Sequence, residues 1–454
     1  MRVIVGMSGG VDSSLAAALL CQQGHDVIGV TLQLYDYDTT LEETDPSKRH
    51  CHPLAFIDAA RQVCANLGIP HHLLSHQHIF QSEIIDPFME SYRQGKTPLP
   101  CATCNRDVKT SALYDMMAEL RADAMATGHY VRRIDVDGHA HIHQGQDVIR
   151  DQSFFLFALG SHYFDKMLFP LGAYSKAETR AKAQELGLLV ADTPASQDLC
   201  FIAKKSYKTL FDAAHGDIIH IDDGRVLGQH QGVTGFTIGQ RQGLGIGGQS
   251  ESLHVVALDV KKNQVVVGPR HHLACSVIHL DQVNWLAPEL LPTHISSGVH
   301  ASCERSGGSE DRHQQQDGMG QENAADAGVG GNAGGGGCGD GGCGGENAEQ
   351  NPDTAALASQ HGHGENDMAE KGSAENSNLP HIQDIQVKVR SSSRAVPAKI
   401  HLLGDSAIIY LENPDYAISP GQACVFYHGT RLLGGGWISE RTRSDACRNQ
   451  KASA

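Results

Sequence analysis

The sequence predicts a doubly wound parallel α/β domain, then a small β-rich domain and a C-terminal β-barrel. Three observations carry this expectation. Strands and helices alternate over the first two hundred residues, short strands separated by turn residues follow, and a Gly- and acid-rich stretch at 303–380 interrupts the last group of strands. The expected bounds are 1–200 for the α/β domain and 201–275 for the β-rich domain. The barrel then takes 276–440, with the 303–380 interruption inside it, and 441–454 is a tail.

The elements follow in order. Residues 2–6, Arg-Val-Ile-Val-Gly, form a short apolar strand. Residues 12–23 are helical, with Leu15, Ala18 and Leu19 on one face and Gly24 at the stop. Residues 26–32 form a strand, and 56–67 a helix with Ile57, Ala60, Cys64 and Leu67 in register and Gly68 after it. Residues 122–127 form a strand, and Ser175 with Glu178 makes a capping box for a helix that stops at Gly187. Beyond residue 201, strands are expected at 217–221, 225–227, 255–258, 264–267, 385–389, 399–402, 407–411 and 423–427. The 303–380 stretch is too poor in large apolar residues to offset its ordering entropy, so disorder is expected there, and Cys338 and Cys343 among its glycines read as dispensable.

Composition narrows the function classes. At 454 residues with 40% hydrophobic content, the chain suits a soluble protein of two or three cores, with no apolar run long enough for a bilayer. The N-terminal apolar run is too short for a signal peptide, so a cytoplasmic, reducing compartment is expected. There the 12 cysteines are catalytic, metal-bound or buried sooner than disulfide-linked. Residues 303–380 hold 14 acidic and 3 basic residues, which accounts for −11 of the net charge of −16, so a basic RNA groove elsewhere is permitted.

The sharpest motif, Ser8-Gly9-Gly10-Val11-Asp12-Ser13, lies between the first strand and the first helix. Glycines let backbone N–H groups approach an anion, and the helix N-terminus adds unpaired donors. Ser8 and Ser13 supply hydroxyls, and Asp12 is expected to hold Mg²⁺ against the phosphates. No Gly-Lys-Ser/Thr follows, so this is not a Walker loop, and it resembles the loop of the PP-loop ATP pyrophosphatases. The run Gly243-Leu-Gly245-Ile-Gly247-Gly248 lacks a flanking strand and helix and reads as a glycine loop. His71, His72, His76 and His78 read as a solvated loop.

Cys101 and Cys104 stand in Gly95-Lys96-Thr97-Pro98-Leu99-Pro100-Cys101-Ala102-Thr103-Cys104-Asn105. A helix starting at Asn105 would put Cys104 at its N-terminus and lower the thiol pKa. A further cysteine, Cys200, follows Ser196-Gln197-Asp198-Leu199. Spacing leaves two uses equally open: a metal or iron–sulfur site on Cys101, Cys104 and Cys200, or sulfur transfer through a persulfide.

With Gly95-Lys96-Thr97-Pro98, Cys104-Asn105, Thr127-Gly128-His129-Tyr130, Asp151-Gln152-Ser153, Cys200-Phe201, the Thr237–Gly248 run and Pro420-Gly421-Gln422, the chain resembles the tRNA-specific 2-thiouridylase family nearly throughout. The resemblance implies ATP-dependent 2-thiolation of the wobble uridine of tRNA, with Cys104 as nucleophile and Cys200 as persulfide carrier. It implies ATP contacts at Gly6, Met7, Ser8, Gly9, Gly10, Val11, Asp12, Ser13, Leu32 and Gly128. It implies tRNA contacts at Leu99, Pro100, Cys101, His129, Arg150, Asp151, Gln152, Arg390, Ser391 and Gln422. Lys204, Lys205, Lys208 and Arg241 are expected along the RNA groove, and a sulfur relay protein fed by a cysteine desulfurase is the implied partner. Many members carry Asn-Pro-Asp where this chain has Leu99-Pro100-Cys101, and Arg390-Ser391 lacks the family's Arg-Tyr pair.

Overall fold

The computed structural model describes residues 1–35, 53–193, 199–202, 211, 214–248, 251–291, 384–416 and 418–443. The chain divides into two units, 1–304 with 379–454, and 305–378; every described residue belongs to the first. The expected disorder at 303–380 therefore lies outside the described residues, as do Lys204, Lys205, Lys208 and the 441–454 tail beyond residue 443.

The first sheet is parallel. Its strands β1 (Arg2–Gly6), β2 (Asp26–Gln33), β3 (His71–Ser75), β4 (Ala124–Ala126) and β7 (Met167–Leu168) lie in the order β3-β2-β1-β4-β7. Val3 and Val5 point into one apolar layer with helices α1 (Val11–Gln22) and α2 (Pro53–Leu67), and Ile4 into the other. A strand buried on both faces reads as a continuous apolar run, which is why β1 is legible in four letters. The order reverses at β1, and there the crevice at the carboxyl ends of β1 and β4 opens. The expected loop at His71 and His72 is instead the edge strand β3: Thr31 pairs with Leu73, and Thr31 Oγ1 lies 2.8 Å from His71 Nε2.

Two long helical arms follow β3. The first joins α3 (Gln77–Phe80), a π-helical stretch Gln81–Ile85 and α4 (Asp86–Arg93). The second joins α5 (Pro100–Cys104), a π-helical stretch Asn105–Thr110 and α6 (Ser111–Glu119). Between β4 and β7 lie a hairpin of β5 (Val131–Val136) and β6 (His139–Gln144), turned at Asp137-Gly138, and α7 (Ser161–Phe164). The helix α8 (Lys176–Glu185) starts with the expected box: Ser175 Oγ accepts from Glu178 N, and Glu178 Oε2 from Ser175 N.

A four-stranded sheet follows, β8 (Gly216–His220), β9 (Val226–His230), β10 (Leu253–Asp259) and β11 (Gln264–Pro269), in the order β10-β11-β8-β9. Its two hairpins are joined by a parallel pairing of β11 with β8. The glycine run at 243–248 is neither strand nor helix; Leu244 and Ile246 anchor it on this sheet's core.

The last six strands are β12 (Cys275–Trp285), β13 (Gln386–Lys388), β14 (Val396–Leu403), β15 (Ser406–Asp415), β16 (Ala423–His428) and β17 (Arg431–Arg443). They run β12-β15-β14-β13-β16-β17 and close into a barrel where β17 pairs back onto β12. Alternation along β16 fixes the barrel to the α/β domain. Cys424 and Phe426 face the barrel core, whereas Ala423, Val425 and Tyr427 share a core with Phe154 and Phe157. The β5–β6 hairpin extends the barrel sheet through Arg431 and His143.

Candidate active site

The nest is built by close approach. Gly9 has φ +74°, and a Cβ there would lie 2.1 Å from the Phe56 carbonyl oxygen, so only glycine fits. Ser8 N donates to Ser13 Oγ at 3.1 Å, and the two hydroxyls lie 3.2 Å apart. Thr31 Oγ1 donates to Met7 O at 2.8 Å and braces the loop from β2. Gly10 caps α1, whose first N–H groups face the crevice without a side-chain cap. Gly128 presses against the first turn of α1, where a Cβ would lie 2.7 Å from both Asp12 C and Ser13 N. Gly6 lies against Leu113, Met7 is buried in the core of α1, and the Leu32 side chain packs inward against the core shared with Leu74 and Leu99.

Asp12 lies at the centre of a polar cluster. Lys176 Nζ donates to both its carboxylate oxygens at 2.6 and 2.8 Å, and Tyr130 OH donates to Oδ1 at 2.7 Å. Tyr130 OH also lies 3.0 Å from Thr179 Oγ1. Mg²⁺ needs anionic oxygens from the protein or from phosphates. Asp12, held by an ammonium and a phenol hydroxyl, is the carboxylate at the nest that would supply one of them. Among the described residues no three His, Cys, Asp or Glu side chains are grouped to hold a metal ion.

The Cys104 expectation is corrected. The helix starts five residues earlier than expected, with Leu99 at the cap and Pro100 in the first turn, so Cys104 lies past the first turn. Pro at the first helical position explains the early start, since its missing N–H costs nothing there. Cys104 is buried with Phe80, Ile84 and Val108, and burial pushes its thiol up to about 11 against the lowering effect of Lys109. Cys101 and Cys200 are exposed, and both thiols are also raised by desolvation. Phe201, beside Cys200, packs edge-on against Phe80 and Phe88 with ring centroids 5.7 and 5.2 Å apart. The thiols are electrostatic neighbours of one another and of Lys109, which also faces His129. Burial, with Lys109 beside it, lowers His129 to about 4, and its Nδ1 lies 2.8 Å from Thr127 Oγ1.

The residues expected to meet tRNA divide by exposure. Arg150, Arg390 and Ser391 are exposed. Asp151 is turned inward. Its Oδ1 accepts from Gly145 N and Ser153 N at 3.1 Å, its Oδ2 from Ser153 Oγ at 2.9 Å, and Lys388 Nζ stands 3.8 Å away. That buried carboxylate joins the α/β domain to the barrel, so its side chain does not face solvent. Gln152 Oε1 accepts from Tyr130 N at 2.9 Å. Gln422 Nε2 donates to Thr97 O and Pro98 O at 3.0 and 3.1 Å. The barrel thereby holds the strand of chain leading into Leu99, Pro100 and Cys101. Lys109, Lys176 and Thr179 escaped sequence reading, because nothing in their local pattern marks a lysine or threonine that meets its partner only through folding.

A Gly/Ser anion nest at the switch point of a parallel sheet, in a chain that also groups thiols around Lys109, defines a PP-loop nucleotide-binding enzyme. Family models described as a tRNA methyl transferase HUP domain, a tRNA methyl transferase PRC-barrel domain and an aminomethyltransferase beta-barrel domain match residues 1–204, 204–269 and 373–438. The tRNA-specific 2-thiouridylase MnmA of Rhodospirillum centenum is 36% identical over 98% of this chain and 93% of its own length. That of Rhizobium etli is 45% identical over 66% of this chain and 75% of its own. A solved 4-thiouridine synthetase–RNA complex with bound ATP is 16% identical, overlapping 45% of each chain at a TM-score of 0.28. The chain belongs to the tRNA-specific 2-thiouridylase family.

Proposed function

We propose that this chain is a tRNA-uridine 2-sulfurtransferase that activates the wobble uridine with ATP and thiolates it at C2. The uracil O2 attacks the α-phosphorus of ATP, the α–β anhydride bond breaks, and pyrophosphate leaves from the nest at Ser8–Ser13. Lys176, held by Asp12, places a positive charge beside that nest. Sulfur then bonds to C2, and the C2–O bond breaks with AMP as leaving group.

The sulfur arrives as the outer atom of a persulfide on Cys200, loaded by a relay protein. The Cys104 thiolate attacks the inner sulfur and breaks the S–S bond, either before or after the outer sulfur bonds to C2. Both orders leave 2-thiouridine and a Cys104–Cys200 disulfide, which an external dithiol reduces. The cytoplasm, which keeps unloaded thiols reduced, is the compartment this chemistry fits. Among the described residues no helix is long and apolar enough to cross a membrane.

One observation supports this reading most. Cys101, Cys104 and Cys200 act electrostatically on Lys109, which in turn acts on His129, and Gly128, next to His129, abuts the first turn of α1. The expected result for Cys104→Ser and for Cys200→Ser is loss of tRNA thiolation, read by mass spectrometry of the nucleosides, with tRNA-dependent pyrophosphate release retained. An iron–sulfur centre in stoichiometric amount that vanishes with Cys104→Ser would replace the persulfide assignment by a ligand role for Cys101, Cys104 and Cys200.

A further inference from the structure

Lys109 lies in the π-helical stretch Asn105–Thr110, five residues after Cys104. In an uninterrupted α-helix, at roughly 100° per residue, five residues would carry Lys109 about 140° away from Cys104, toward the far face. The i→i+5 bonding of a π turn sets residues five apart one above the other, and such turns recur at functional sites. The π stretch therefore brings Lys109 back over the face that carries Cys104 and, one turn earlier, Cys101.

The surroundings of this ammonium are unusual. The charged and titratable groups facing it are Cys104, Cys101 and Cys200 with His129. Asp107, the nearest acid in sequence, is engaged on both oxygens by Arg106 at 2.7 and 2.8 Å. Among the described residues Lys109 has neither an ion-pair nor a hydrogen-bond partner. Half-buried beside an apolar cluster of Phe80, Ile84 and Val108, such a cation is costly to keep unless an anion is to join it. Desolvation raises the Cys104 and Cys200 thiols, Lys109 works against that rise, and the thiols in turn hold the Lys109 ammonium above its ordinary range.

We propose that Lys109 is the counter-ion of the sulfur cargo, paired with the terminal sulfur anion of a Cys200 persulfide and then with the attacking Cys104 thiolate. A persulfide is more acidic than the thiol that bears it, so loading Cys200 creates a negative charge where none stood before. The π turn places the compensating charge there in advance, and the pair favours loaded over empty Cys200. When the S–S bond breaks, the charge moves on with sulfur and Lys109 is again unpaired, which favours release. This inference rests on the sulfur-carrying roles proposed for Cys104 and Cys200.

The test compares Lys109→Met with Lys109→Arg in the full chain, with Lys109→Gln as a second neutral variant should the methionine protein not fold. Methyl methanethiosulfonate is small enough to report the thiolate fraction of Cys104, followed by mass spectrometry across pH. The neutral variants are expected to react ~10-fold more slowly at a given pH, the equivalent of one pKa unit, and Lys109→Arg close to the wild-type rate. Persulfide occupancy of Cys200 after equilibration with inorganic polysulfide is expected to fall by a similar factor, ~10-fold, in the neutral variants alone. Pyrophosphate release with tRNA is measured alongside and is expected to fall less than thiolation. Wild-type Cys104 reactivity in a folded neutral variant would overturn the proposal, as would a loss of pyrophosphate release in step with thiolation. Failure of the underlying reading looks different: Cys104→Ser would still thiolate tRNA, whatever the reactivity measurements on Lys109 variants show.

Discussion

Phe201→Ala tests how Cys200 is held near Cys104. The Phe201 ring makes two edge-on contacts, with Phe80 at 5.7 Å and 71° and with Phe88 at 5.2 Å and 88°. Such pairs contribute about 0.5–1.5 kcal/mol each beyond burial. The ring is half-buried, so truncation also forfeits roughly 1 kcal/mol of apolar burial. The sum is about 2–4 kcal/mol; taking the lower end, docking of the Cys200 segment weakens ~30-fold, since 1.4 kcal/mol is tenfold. The assay is the rate of Cys104–Cys200 disulfide formation under a mild oxidant, read by mass spectrometry after acid quench, beside single-turnover thiolation. Both are expected to slow by ~10- to 30-fold with pyrophosphate release unaffected, and Phe201→Leu is expected between the two because it keeps apolar volume without ring contacts. Disulfide formation at the wild-type rate in folded Phe201→Ala would refute the anchoring argument. So would an equal fall in pyrophosphate release, which would place Phe201 in the nucleotide half-reaction.

Three other outcomes are expected. Gly9→Ala forces a Cβ to 2.1 Å from Phe56 O at a left-handed φ, whereas at Gly10 the nearest atom is 3.7 Å away. Strain of about 1–3 kcal/mol then predicts ~10- to 100-fold weaker ATP binding by calorimetry for the first and little change for the second. Asp12→Asn and Lys176→Met are each expected to remove pyrophosphate release and thiolation together. The double variant should be no worse than the poorer single one, because a contacting pair couples by about 0.5–3 kcal/mol; strict additivity would separate the two residues. His129 stays neutral in the folded protein down to about 4, while the unfolded chain takes up its proton near 6.5. Stability therefore falls as pH drops from 6.5 towards 4, and Tm of His129→Gln should be less sensitive to pH across that window.

What could be read without tertiary structure was short-range. β1, the nest and α1 span the first 22 residues. Their buried strand, paired glycines and helical periodicity are set by backbone sterics and hydrogen bonds between near neighbours. The Ser175–Glu178 box was legible for the same reason, and so were the hairpins of the β-rich regions. The Asp137-Gly138 turn offered an equal signal for the β5–β6 hairpin, which went unread although it carries the α/β domain onto the barrel.

Partners distant in sequence were decided by the fold alone. Asp12 in isolation is an acidic residue beside a phosphate loop; only the packing of α8 against α1 brings Lys176 to it from 164 positions away. Asp151 reads as a polar loop residue until β13 buries Lys388 against it. Cys104 reads as a helix-start thiol, and it takes the Pro100 start and the π turn after it to make it a buried thiol under a lysine. The physical reason is common to all three. Propensity and periodicity report what a residue does to its own backbone, whereas the charge state of a carboxylate or thiol depends on which atoms of remote segments displace water from around it.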